Sequence, residues 1–518
     1  MEYNNDILET LSSLSNHEVF TPPWVAEEML DLLPEEVWTK PEYKFLDPFV
    51  KTGVFLRGIL YRLDKNLPRN IYEDKETGYI YNLDDEQDRI DHIFKNMIYG
   101  ISISELTGYI SRRTLYGVMK ANSNRVGNTV FNSSLFKDEK ELKLQEEGNI
   151  FFLNPLHTFD KKGTCEICGY KEKNINKNLE EHAYAFIHNQ IHMKIKEIKQ
   201  MKFNVIIGNP PYQVSDGTGG GGSSAKPIYN KFIEMAIDMN PEYLTMIIPS
   251  RWMTDGKGLD KFRKKMLNDK RFSYIVDFKN ENDCFPSIEL PGGVNYFLWE
   301  KNHNGLCKYR NNYEKSYSRI SLNKYDILIR NQKALPILAK IYVEDSNYLN
   351  QKVSVSKPFG LRSNFKNYEE KYFENSIKYY ANNIIGYLEK NKILVNKNII
   401  EKYKVIVSKA NGAALKNKTI ITAPFIIEPD SVCSETYLVI DSFENQTESE
   451  NMIKYIKTKF FRFLVSLRKN TQNTTRDTYS FVPVLPMTEE WTDEKLYKKY
   501  NLTQKEISYI EESISQME

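Results

Sequence analysis

Residues 203–212 read Phe203-Asn204-Val205-Ile206-Ile207-Gly208-Asn209-Pro210-Pro211-Tyr212. The uncharged, β-branched run from Val205 to Ile207 suits a strand covered on both faces, as in a parallel sheet. Two successive prolines end it, because neither has an N–H to give to a strand ladder. Similar apolar runs recur at 44–48, 97–103, 243–249, 272–278 and 294–300. Helical patterns separate them, at about 54–63, through Tyr116, at Tyr229–Met239 and at Leu259–Leu267. Strands alternating with helices predict an α/β domain built on a parallel sheet, over residues 1–310. A helix over 17–36, capped by Thr21 and with Pro22 and Pro23 in its first turn, is predicted to lead into it. Open α/β sheets bind ligands beyond the carboxyl ends of their strands. The Asn209–Tyr212 turn falls at such an end.

That turn fits one kind of chemistry. An exocyclic amine on a nucleobase is a poor nucleophile, since its lone pair is delocalised into the ring. Two acceptors fixed on its hydrogens draw it toward tetrahedral geometry and free the pair. The Asn209 side-chain oxygen is one candidate acceptor. The Pro210 carbonyl is the other, held rigid by Pro211. Tyr212 offers a face on which a base can stack. An ordinary strand-ending turn has the same composition, so the neighbouring motifs carry weight.

Those motifs resemble the DNA adenine-N6 methyltransferases of bacterial restriction–modification systems, in the TaqI-type (gamma) order. Cofactor motifs come first, then the catalytic turn, then a target-recognition domain. The resemblance covers residues 18–300 by motif, and 311–518 by position only. It implies a Rossmann-like fold that uses S-adenosylmethionine. Phe20-Thr21-Pro22 matches the family's N-terminal cofactor segment. Asp47-Pro48-Phe49-Val50-Lys51-Thr52-Gly53-Val54-Phe55 matches the cofactor loop at Asp47, Pro48, Gly53 and Phe55, with Lys51 in place of its first glycine. Where the family has an acid for the ribose hydroxyls this chain has Ser102, with Glu105 as a substitute. Asn149 is the candidate for the adenine-binding position. Phe297, on an aromatic strand that also holds Tyr296 and Trp299, is the candidate for stacking on the far face of a flipped adenine. The resemblance implies double-stranded DNA as substrate and a separate cognate endonuclease as partner. Pro429-Asp430 is followed by Glu435 without the lysine that a nuclease motif needs. RNA or a protein glutamine amide as substrate, and a DNA-binding module with a degenerate cofactor pocket, are the alternatives.

A separate pattern predicts a structural zinc ion. Cys165 and Cys168 are two residues apart, and His182 and His188 follow after a further 13. Two thiolates and two imidazoles suit tetrahedral zinc. His192 is an alternative to His182. The pattern lies in an apparent insertion, residues 155–195. Just beyond the catalytic turn, residues 215–224 are too glycine-rich for a helix or strand and read as a loop able to close over a base or DNA backbone.

Composition bounds the rest. The 518 residues hold five cysteines, too few for a disulfide framework, which points to a reducing, cytoplasmic setting. No apolar run is long enough to cross a bilayer, so no membrane partner is expected. The acidic N-terminus does not read as a signal peptide. The net charge of +2 is unevenly spread: residues 311–518 sum to +6, which leaves −4 for the rest, and 311–420 alone reach +11. A basic second half fits a polyanion-binding domain, predicted here as a mixed α+β target-recognition domain over 311–490, with strands at 404–407, 419–422 and 437–440. A helical segment, 491–518, completes the chain.

Overall fold

The computed structural model describes residues 19–117, 148–177, 182–188, 193–213, 226–254, 258–286, 290, 292–343, 346–382, 384–410, 420–469 and 473–517. It divides into two units at Asp326/Ile327, with residues 253–255 grouping with the second.

The first unit is built on one nine-stranded sheet. In chain order its strands are β1 (Phe45–Val50), β2 (Ile98–Ser102), β3 (Ile150–Phe151), β4 (Val205–Gly208), β5 (Tyr243–Pro249), β6 (Phe272–Phe278), β7 (Val294–Glu300), β8 (Cys307–Asn311) and β9 (Ser318–Ile320). They lie in the order β9-β8-β6-β7-β5-β4-β1-β2-β3. The ladder is parallel from β3 through β5, and β7 runs antiparallel between β5 and β6. β1 and β4 are wholly buried, as their apolar sequences require. From β1 the chain adds strands first on one side, β2 and β3, and then on the other, β4 and β5. The β1/β4 seam is therefore the topological switch point, where a crevice opens beyond the strand ends.

Helices cover the sheet. α1 (Pro23–Asp31) and α2 (Val54–Asn66) each bury one apolar stripe. α3 (Glu86–His92) precedes β2 and α4 (Glu105–Tyr116) follows it. α5 (Met193–Gln200) leads to β4, and α6 (Tyr229–Asp238) and α7 (Asp260–Asn268) alternate with the later strands. α4 starts with a capping box of Ser104 and Thr107 and stops at Gly117, in the left-handed conformation.

Three expectations change. The predicted 17–36 helix is shorter: Pro22 occupies the cap position, and the Thr21 hydroxyl caps nothing. The boundary at 310 moves to 326, because β8 and β9 complete the first sheet; the onset of basic charge does not mark the end of a core. The stretch at 420–422 is not a strand, and residue 419 lies outside the described residues.

The second unit holds two three-stranded sheets. One joins β10 (Ser376–Ala381), β11 (Ile384–Glu389) and β14 (Ser431–Cys433) in the order β11-β10-β14, and the other joins β12 (Tyr403–Ser408), β13 (Phe425–Ile427) and β15 (Tyr437–Phe443) in the order β13-β12-β15. Tyr379, Ile406, Ile427 and Val432 are among the residues of their shared core. The tail is not a separate segment. Its helices, Asp493–Lys499 and Gln504–Ser513, pack on the helix Lys459–Ser466. The Asp493 carboxylate accepts from Lys459 N and Phe460 N, and Phe460 stacks on Tyr500. Among the described residues no helix is long and apolar enough to cross a membrane.

Candidate active site and metal cluster

The switch point brings the cofactor-loop motif and the catalytic turn together. Asn209 follows β4 directly and is 2% exposed; Pro210, Pro211 and Tyr212 are buried beside it. The Asn209 amide is held in one orientation. Its Nδ2 donates to the Val19 carbonyl at 3.0 Å and to Thr21 Oγ1 at 3.1 Å. Both are acceptors available to an N–H, so the amide oxygen must point the other way. That oxygen is buried and has no partner among the described residues. A buried carbonyl left unpaired is costly unless something arrives to donate to it. The Tyr212 hydroxyl is likewise buried, with no hydrogen bond of good geometry among the described residues; burial above all, with the nearby Cys284 thiol, raises its pKa well above the usual phenol range, against a lowering effect of the neighbouring Asn209 side chain.

Val19 is a shared anchor, since Lys51 Nζ also donates to its carbonyl, at 2.7 Å. Lys51 thus ties the segment before α1 to the cofactor loop from the position where the family has glycine. Gly53 caps α2 with φ +78°, and a Cβ there would lie 3.2 Å from the Ser111 backbone. Only glycine meets both conditions at ease. Asp47, the third of the six residues of β1, is fully buried, with Oδ1 accepting from Phe49 N at 2.9 Å. Burial raises its pKa to about 7, against the lowering effects of that hydrogen bond and of Lys51. Gly208 packs against the same loop: a Cβ there would sit 2.8 Å from Phe49 Cδ2 and 2.9 Å from Asp47 Oδ1. Thr21 is buried, Phe20 is half-buried and Pro48 lies within β1. Phe55 belongs to the buried face of α2.

Three predicted residues, Ser102, Asn149 and Phe297, are placed otherwise than expected. The Ser102 hydroxyl donates to the Phe151 carbonyl, inside the sheet. Glu105 remains exposed in the first turn of α4 beyond β2, so of the two it alone faces solvent. Asn149 precedes β3, at the opposite end from the crevice, and its amide donates to Phe94 O and Lys95 O. Beyond the carboxyl end of β3, after Phe152 and Leu153, comes exposed Asn154, followed by Pro155. Phe297 lies in mid-strand between Met246 of β5 and Ile275 of β6, fully buried, with its ring edge-on to Phe272 at 5.1 Å. No base reaches it there. The aromatic at the correct end is Phe285, next to Cys284 in the turn after β6. The predicted glycine-rich loop, residues 215–224, lies outside the described residues; its base is marked by the bridge between Gln213 and Pro227.

The insertion folds as a compact knuckle. Bridges pair Phe159 with Cys165 and Thr164 with Lys171, and Gly163 and Gly169 take positive φ in the turns. One atom each of His157, Cys165, Cys168 and His188 lie within 4.8 Å of one another, and all but His157 are buried. His157, which the spacing did not offer, stands fourth in this group of described residues. The side chain of His182, and all of His192, lie outside the described residues. The hairpin turn at Asp160–Gly163 was the signal that a residue just upstream would return beside Cys165. Cys165 Sγ is 3.4 Å from His188 Nε2 and Cys168 Sγ 3.5 Å from His157 Nδ1. With Zn–S near 2.3 Å and Zn–N near 2.0–2.1 Å, a tetrahedral S–N edge is about 3.6 Å, so these distances fit. Burial opposes ionisation of both thiols; for Cys165 the surrounding hydrogen bonds prevail and bring it to about 6, while Cys168 is raised.

Residues 96–285 match the family model described as Eco57I restriction-modification methylase. A protein of Mycoplasma pneumoniae described as an uncharacterized adenine-specific methylase is 38% identical over 319 residues, 58% of this chain and 71% of that protein. Solved structures of similar fold include a nuclease-deletion mutant of the Type ISP restriction-modification enzyme LlaGI in complex with a DNA substrate mimic. It is 14% identical, covering 98% of this chain and 48% of that one, with a TM-score of 0.48. Another is the Type IIL restriction-modification enzyme MmeI in complex with DNA, 9% identical over 99% of this chain and 73% of that one, with a TM-score of 0.44. This chain thus spans about half the length of the LlaGI chain. The 38% identity to the Mycoplasma protein over 71% of its length, joined to the cofactor-loop motif and Asn-Pro-Pro-Tyr turn meeting at one crevice, places this chain in the family of adenine-specific methylases of restriction–modification systems.

Proposed function

We propose that this chain transfers a methyl group from S-adenosylmethionine to the N6 amine of an adenine flipped out of double-stranded DNA, at a specific sequence. The observation that carries the proposal is the Asn209 amide: buried, fixed through its nitrogen, with its oxygen unpartnered at the switch point.

The crevice suits the cofactor. The buried Asp47 carboxyl, raised to about 7, is matched to a cationic partner such as a methionyl ammonium. Exposed Glu105 beyond β2 is placed for ribose hydroxyls. When bound, S-adenosylmethionine supplies an electrophilic sulfonium methyl. Asn209 Oδ1 and the Pro210 carbonyl then accept from the two amine hydrogens and keep the nitrogen lone pair aimed out of the base plane. These acceptors are in place beforehand, so they cost little reorganisation as charge develops. Tyr212 stacks on one face of the base, and Phe285 is placed for the other. As the N–C bond forms and the C–S bond breaks, the amine nitrogen becomes acidic, and its extra proton passes to solvent.

The second unit, with its basic 311–420 segment, is the part we assign to target recognition. Cleavage of unmodified DNA would fall to a separate endonuclease. A structural zinc ion held by the knuckle completes the reading.

The test uses tritiated S-adenosylmethionine and genomic DNA from a methylation-free host, followed by long-read sequencing. Label on adenine at one recurrent motif, abolished by Asn209→Ala, is expected. Undiminished modification by Asn209→Ala would refute the assigned role.

A further inference from the structure

The knuckle is joined to the cofactor pocket by an aromatic chain that the methyl-transfer reading does not use. His157 stacks on Tyr170, ring centroids 5.1 Å apart and planes within 10°. Tyr170 meets Tyr184 at 6.2 Å, and Tyr184 meets Phe232 of α6, also at 6.2 Å. Phe232 packs edge-on to Phe49, the residue after Asp47-Pro48, at 5.0 Å. Phe186 packs edge-on to the same Phe49 at 5.8 Å. Tyr184 and Phe186 belong to one short helix, His182–Ile187, which packs on β1, β2 and α6. That helix ends at His188, whose Nδ1 donates to the Tyr184 carbonyl and leaves Nε2 facing Cys165. The other arm of the knuckle is held too: Lys231 of α6 donates to the carbonyl of Ile167, between the two cysteines.

Two turns of 3-10 helix do not hold their own position. The helix's place against β1 is fixed by what its ends are tied to. A bound ion would tie His188 to Cys165, Cys168 and His157. Phe49 is where that constraint arrives, and Phe49 in turn bears on Gly208, the residue before Asn209, and lies two residues beyond Asp47.

We infer that His157, Cys165, Cys168 and His188 form a zinc centre that braces the cofactor pocket, by holding Phe186 and Tyr184 behind Phe49. Two thiolates and two neutral imidazoles make a closed, neutral tetrahedral set with no open position for substrate, so the metal's role is structural. A Rieske-type iron–sulfur cluster also takes two cysteines and two histidines, but it splits them between two irons; ligand atoms all within 4.8 Å of one another suit a single ion. The brace rests on the reading of the crevice as the S-adenosylmethionine pocket, and the experiment separates the two.

The full chain is purified without chelator, its metal content measured, and S-adenosylmethionine binding followed by titration calorimetry. About one zinc per chain is expected in the wild type and in His182→Ala, with loss in His157→Ala and Cys168→Ala. Cobalt-substituted protein should show the visible bands of tetrahedral thiolate coordination. Removing zinc should weaken S-adenosylmethionine by roughly tenfold or more, as misplacement of a site by a fraction of an ångström does, and readded zinc should restore it. Phe186→Ala, which removes no ligand, should keep its zinc and show the same weakening; it carries the test even where stripped protein aggregates. Zinc lost from His182→Ala but kept by His157→Ala overturns the ligand set. Zinc present, but with affinity unchanged both on stripping and in Phe186→Ala, overturns the brace while leaving the methyltransferase reading intact. A zinc-loaded wild type that does not bind S-adenosylmethionine overturns both.

Discussion

Replacing Asp47 by asparagine probes the cofactor loop without changing its shape. The carboxyl is fully buried and its pKa is raised from 3.8 to about 7. A shift of about three units, at about 1.4 kcal/mol each, sets an upper bound of about 4 kcal/mol on the cost of keeping it ionised without a cationic partner. The folded state holds this proton more tightly than the unfolded chain. The contribution of Asp47 is therefore least unfavourable near pH 4, worsens as pH rises to about 7, and is constant above. In Asp47→Asn this titration is absent. Any fixed cost of burying the amide is the same at every pH and cancels from the comparison. Relative to wild type, the variant should gain roughly 2–3 kcal/mol between about pH 5 and pH 8, from the two units between pH 5 and the folded pKa. Urea unfolding followed by tryptophan fluorescence measures this, since Trp24, Trp38, Trp252 and Trp299 all lie in the first unit and only Trp491 in the second. Cofactor binding should show the complement. S-adenosylmethionine affinity of the wild type should rise with pH up to about 7 and then level off, while Asp47→Asn should bind more weakly with no such dependence. A stability difference that is flat with pH would refute the claim that desolvation outweighs Phe49 N and Lys51 at this carboxyl before the cofactor arrives.

Thr21→Val removes one of the two acceptors that orient the Asn209 amide, and it should lower kcat while leaving S-adenosylmethionine affinity within about twofold, because the Val19 carbonyl remains. Gly208→Ala forces a Cβ within 3 Å of both Phe49 and Asp47, so calorimetry should find weaker cofactor binding, and denaturation a loss of about 1–3 kcal/mol. Phe285→Ala and Phe297→Ala remove buried rings and should both destabilise the fold, but they should part company in binding: the first should also weaken productive DNA binding by about 1–3 kcal/mol, the energy of one stacked base. The second should destabilise the fold by about 3–5 kcal/mol without a specific effect on the base.

Much of the fold was legible because buried parallel strands leave continuous apolar runs, and β1, β4, β5, β6 and β7 all appear within a residue or two of where those runs lie. The catalytic turn was legible for a related reason: Asn209 and its prolines are contiguous, and a strand end fixes which edge they occupy. What failed depended on direction or on distant pairing. Asn149 and Phe297 were chosen by proximity to a strand, but chemistry at this sheet happens only beyond carboxyl ends, and because β7 runs antiparallel, its middle is as far from that edge as any core position. Counting to the strand end, rather than to its most aromatic residue, leads to Asn154 and Phe285. Lys51, which stands where the family has glycine, and Thr21, of the segment assigned to the cofactor, reach Val19 and Asn209 respectively, contacts between segments 30 to 190 residues apart that no local pattern records. His157 escaped for the opposite reason. It lies only eight residues before Cys165, but a search for ligands downstream looks past it, whereas the turn chemistry at Asp160–Gly163 folds it back. The site is thus readable from sequence where one strand end supplies it, and unreadable where two segments must first be folded together. The same division explains why exchanging single residues at the crevice should change catalysis and cofactor affinity separately. Asn209 is oriented from the N-terminal segment, whereas Phe49 is packed from the knuckle side, and the two supports meet at Gly208 and through Lys51, which donates to the same Val19 carbonyl.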